Sequence, residues 1–139
     1  MTASSDRLLR RTLWGNAVFS VVSVTMLAVF AGPFAAAAVD QPVSVLGLEL
    51  GMVLELLGVG VVAFGLLSAW AASREQLPQV WARAIFAGDV AWVAGSILVL
   101  ALPASWTMAG IVGIVALAVI VADLAILEYL GLCRLGTAH

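Results

Sequence analysis

The chain has no lysine, one cysteine and one histidine, and only 10% of its 139 residues are charged. A lone cysteine, Cys133, closes no disulfide within the chain, and a lone histidine, His139, supplies no pair of axial ligands. Bis-histidine haem, zinc and iron–sulfur sites are therefore not expected, and no cofactor or metal is assigned. Six arginines against eight acids leave a formal charge of −2, too little positive field to hold nucleic acid. What fills the chain instead is apolar: 64% of residues are hydrophobic, and the mean hydropathy is +1.18. Soluble domains carry about 25% charged and about 45–50% apolar residues. A chain of this make-up could not cover its surface in water, and it reads as a membrane protein.

A bilayer core about 30 Å thick takes about 20 apolar residues in a helix. Four charge-poor runs of that length occur, at about 12–34, 45–72, 84–102 and 105–130. Pro33, Pro42, Pro78 and Pro103 are expected in the connections, where a missing N–H costs nothing. The runs lack period-2 alternation and are twice the length of a spanning strand, which excludes a β-barrel. The expectation is an all-α, integral membrane, antiparallel four-helix bundle forming a single transmembrane domain.

Arginines flanking a span stay in the cytoplasm. Arg7, Arg10 and Arg11 precede the first run, Arg74 and Arg83 lie between the second and third, and Arg134 follows the fourth. Both termini are thus expected in the cytoplasm, with a bacterial inner membrane as the location. Trp14, Trp70, Trp81 and Trp106 fall near span ends, as interfacial aromatics do, whereas Trp92 does not. The basic start followed by Ala35–Ala38 has the look of a secretory signal, but its apolar stretch exceeds the usual 7–15 residues, so an uncleaved first helix is expected.

Polar residues within spans are costly and usually face the bundle interior. Their helical spacing marks Thr12, Asn16, Ser20 and Ser23 on the first helix, and Gly51, Glu55, Gly58, Val62, Gly65, Ala69 and Ala72 on the second. The third presents Ile85, Asp89, Trp92, Ser96 and Val99, and the fourth Ala109, Gly113, Ala116, Ile120 and Asp123. Small residues let helices approach closely, so these stripes are read as packing seams. At about 1.5 Å of rise per residue, Asn16, Asp89 and Asp123 each come about 6–10 Å into the core. They form an expected polar cluster, with Trp92 one turn further in and Glu55 nearer mid-membrane. Glu49 and Glu128 are expected at interfaces, in reach of water.

Two roles suit that cluster. Arg10, Arg11 and Arg83 lie a turn or two away and could snorkel up to the aspartates, which would make it a packing device. Without arginine, two close carboxylates would repel, share a proton and offer a site for a proton, a cation or a polar ligand head. Glu55 could equally be protonated and hydrogen-bonded to a neighbouring helix, Trp92 could be filler, and Cys133 an inert thiol or an acylation site.

An offset of 73 residues lays Asn16 on Asp89 and Leu54-Glu55-Leu56-Leu57-Gly58 on Leu127-Glu128-Tyr129-Leu130-Gly131, the trace of a possible duplicated hairpin. Trp14-Gly15-Asn16-Ala17-Val18-Phe19-Ser20 and Gly88-Asp89-Val90-Ala91-Trp92 resemble small uncharacterised bacterial four-span membrane proteins with Asn in span 1 and Asp-x-x-Trp in span 3, a resemblance that implies no particular activity. A weaker likeness is to the DoxX-like family, through Glu55-Leu56-Leu57-Gly58-Val59-Gly60; it implies an accessory subunit of quinol or thiol redox systems, although the first span lacks that family's charged end.

Three functions fit the residues. The first is a non-enzymatic bundle that binds a membrane protein partner or a hydrophobic, lipid-like ligand. The second is a proton- or cation-coupled transporter, acting as a homodimer and carried by Asp89, Asp123 and Glu55. The third is an intramembrane isomerase or cyclase using a protonated carboxyl as general acid.

Overall fold

The computed structural model describes residues 3–45, 47–102 and 105–136. Within them lie four helices: α1 Ala3–Ala38, α2 Leu50–Ser73, α3 Gln79–Ala101 and α4 Met108–Gly136. All are long and apolar enough to cross a membrane, with mean hydropathy of 1.9 to 2.7 in their most apolar stretches. A short antiparallel hairpin, β1 Ser44–Val45 paired with β2 Leu48–Glu49, stands before α2. Its turn uses Gly47 at φ 81°, a left-handed conformation that a Cβ would disfavour.

Two expectations about the connections need correction. Pro33 lies inside α1, not in a loop, and α1 runs on to Ala38. Its ring removes one helical hydrogen bond to the carbonyl of Val29, a loss close enough to the helix end to be tolerated where neighbouring helices hold the segment. At the other end of the chain α4 continues past Leu130 to Gly136. Pro42 lies outside the helices and Pro78 is the residue before α3, while Pro103 falls outside the described residues.

The helices form a bundle in which α1 packs along α2 and α4, α3 packs on α4, and α2 touches α3 lightly. Two polar clamps tie the ends. At one, the Arg10 guanidinium donates to the carbonyls of Ala72 at 2.5 Å, Arg74 at 2.6 Å and Glu75 at 3.2 Å, which occupies the unpaired carbonyls at the end of α2. At the other, Thr107 serves two helices at once. Its hydroxyl donates to Ala37 O at 2.5 Å and its N–H to Ala38 O at 3.0 Å, closing α1, while the same hydroxyl accepts the Gly110 N–H at 3.0 Å and caps α4. Gly110 lies so near Ala38 that a Cβ would collide with that residue's backbone.

The buried core lies at the Arg10 end and comprises Leu9, Leu13, Ala71, Ala72, Leu77, Ala82 and Ile85. At Gly65 α1 and α2 approach so nearly that a Cβ there would stand 2.6 Å from that of Ser20. Elsewhere large apolar side chains such as Val18, Leu66 and Leu98 face outward. In lipid such a surface needs no polar cover.

Candidate functional site

Three helices meet at one buried amide. Asn16 of α1 is 1% exposed, Asp89 of α3 is 3% exposed and Glu128 of α4 is 0% exposed. The Asn16 Nδ2 donates to Asp89 Oδ2 at 2.7 Å and to Glu128 Oε1 at 2.8 Å, so its two hydrogens serve two carboxyl groups. The two carboxyls lie side by side because one nitrogen serves both, and Glu128 Oε2 is buried with no hydrogen-bond partner.

Each residue reaches the site by helical geometry. Thr12, Asn16 and Ser20 are all buried, the inner stripe that four-residue spacing predicts for α1. On α3, Ile85 and Asp89 are buried, and Trp92 and Ser96 one and two turns further on are half-buried. Beyond Gly110 at its start, the buried positions of α4 are Val121, Ala125, Glu128 and Gly131. That is a different face from the expected stripe, since Ala109, Gly113, Ala116, Ile120 and Asp123 are all exposed.

Asp123 is accordingly not a member of the cluster, and Glu128 takes the place expected for it. Residues five apart stand about 140° apart around a helix, so the two acids cannot face one interior. Glu128, expected in reach of water, is instead 0% exposed inside the bundle, and α4 continues beyond it to Gly136. Glu55, like Asp123, is exposed and apart from the cluster. Trp92 is close in sequence to Asp89, and its indole N–H is buried without a partner. The signal that could have found Glu128 was its helical spacing from Ala125 and Val121.

The arginines expected to neutralise the acids are elsewhere. Arg10 is turned to the end of α2, and Arg11 and Arg83 are exposed. Among the described residues neither Asp89 nor Glu128 meets a cationic side chain. Two unit charges about 4 Å apart repel by about 4 kcal/mol at an effective dielectric of about 20, and desolvation adds to that. A pair of bare carboxylates is therefore a poor occupant of this position, and a positive species bound there relieves both costs.

Comparison with models of known protein families, with curated proteins and with solved structures finds no match. The reading of the site rests on its own chemistry. Among the described residues no group of three or more His, Cys, Asp and Glu converges to hold a metal ion. Outside the acid pair, α3 and α4 enclose a shallow groove of about 470 Å³ lined by Phe86, Val90, Val93, Ile97, Ala122 and Tyr129, among other apolar residues. It offers contact area but no reacting group.

Proposed function

We propose that the protein is a four-span membrane protein of a bacterial inner membrane, with antiparallel helices and both termini cytoplasmic, whose Asp89–Glu128 pair is an intramembrane binding site for a proton or other cation. It acts as a small coupled transporter. The observation that carries this reading is the buried acid pair held by one amide and, among the described residues, met by no arginine. The placement of Arg7, Arg10, Arg11, Arg74, Arg83 and Arg134 on one set of flanks supports the orientation. Intramembrane acids usually mark ion pathways or proton relays, because a span keeps them only at a cost.

The test is proton flux in liposomes containing the wild-type chain, D89N or E128Q. The wild type is expected to dissipate an imposed proton gradient, and each variant to lose that flux. Equal flux in all three would remove the transport reading. A second reading, binding of a hydrophobic, lipid-like ligand, is favoured by the apolar groove between α3 and α4. It predicts lipid retained through purification and no effect of D89N on flux.

A further inference from the structure

The geometry of the acid pair discriminates between possible occupants. Glu128 is 0% exposed; its Oε1 accepts from Asn16 Nδ2, the nitrogen that also serves Asp89, and its Oε2 has no donor. A buried acceptor without a donor, beside a second carboxyl, lacks one hydrogen. A single proton on Oε2 supplies it, turning that oxygen into a donor toward Asp89 while Asn16 continues to donate to the other oxygen of Glu128 and to Asp89 Oδ2. A metal cation fits less well. Hard cations ask for about six oxygens, and here an N–H₂ group aims both hydrogens at the acids.

The surroundings add no charge that would displace the proton. The buried polar residues one turn either side of Asn16 are Thr12 and Ser20, and the buried polar residue of α2 is Ser68. Thr12 donates to Leu8 O at 3.1 Å and Ser68 to Phe64 O at 2.9 Å, so both are neutral and already engaged. From α3 and α4 come the two acids themselves and the unpartnered indole N–H of Trp92. Arg11, Arg83 and Asp123 are exposed, and Arg10 holds the end of α2.

Resting on the carboxyl-site reading above, we infer that the occupant is one proton, shared between Glu128 and Asp89 at neutral pH, and not a metal cation. With the Asn16 amide reversed, three acceptors would converge and a metal cation would be needed to hold them. A cation arm in the experiment tests that arrangement.

The measurement is infrared spectroscopy of the full chain in lipid nanodiscs at neutral pH, in H₂O and D₂O, with and without added Na⁺ or K⁺. The expected result is the carbonyl stretch of a protonated carboxylic acid that shifts in D₂O, is indifferent to Na⁺ and K⁺, and is lost in the D89N/E128Q double variant. Because Glu55 and Asp123 carry carboxyls of their own, the comparison is made in an E55Q/D123N background, in which the band persists until D89N/E128Q is added. Absence of the band from the wild type overturns the inference, as does its persistence in the double variant. A band that vanishes when Na⁺ or K⁺ is added also overturns it but leaves the cation-site reading intact. A proton band in a protein without flux does the reverse: the shared proton stands and the transport reading falls. Should the double variant fail to fold, the D₂O and cation arms on the wild type decide.

Discussion

Asn16 has a larger role than its size suggests, because one side-chain nitrogen joins α1, α3 and α4 through two short hydrogen bonds. Replacing it by alanine removes both donors and leaves two buried carboxyl groups facing a void. Each buried acceptor stripped of its partner costs about 1–3 kcal/mol, so N16A is expected to lose on the order of 2–5 kcal/mol of stability. Unfolding in mixed micelles by denaturing detergent would measure it. Asp123 provides the contrast: it is exposed and outside the cluster, so D123N is expected not to lower stability, since within a span it removes a costly charge and no buried contact. A large loss in D123N would mean that this acid is covered by something. Asn16 and Asp89 were both legible in the sequence as polar residues on inward faces. Glu128 was not, because a residue near the end of a predicted span reads as interfacial until the true end of the helix is known.

At the level of elements, the two ends of α1 are held by different chemistry. Arg10 fills the carbonyls that end α2, whereas Thr107 closes α1 and opens α4. Loss of an N-cap hydroxyl costs about 0.5–2 kcal/mol, and T107A should lose at least that, since α1 is uncapped by the same change; T107S should retain most of it. Gly110 is constrained by backbone rather than by a movable side chain, so G110A is expected to cost about 1–3 kcal/mol through overpacking. Thermal unfolding of the three variants in one detergent would rank them. If G110A is as stable as the wild type, the close approach of α4 to Ala38 is not present in the folded protein. None of this was readable beforehand: threonine at a span end is common, and its two partners are about 70 residues and three residues away.

For the molecule as a whole, the arrangement of charge on the helix flanks predicts which side of the membrane each end faces. Cys133 is the chain's single cysteine and is exposed near the end of α4. A membrane-impermeant maleimide should label it in inverted vesicles and not in intact spheroplasts. In a C133S background, a cysteine introduced at Gln41 should label in the opposite sense. Labelling of Cys133 from outside would reverse the proposed orientation. Composition and run length alone determined that the chain has four long apolar helices, because lipid permits few other solutions for such a sequence. They also marked the inward stripe of α1, where four-residue spacing of polar groups survives any small error in the helix ends. Only the tertiary structure decided which face of α4 turns inward and hence that Glu128, not Asp123, meets Asp89 and Asn16. The physical reason is rotational. Several faces of a nearly uniform apolar helix have similar burial energies in lipid, so its rotation is set by close packing and by the few hydrogen bonds available, and those depend on partners far away in the chain.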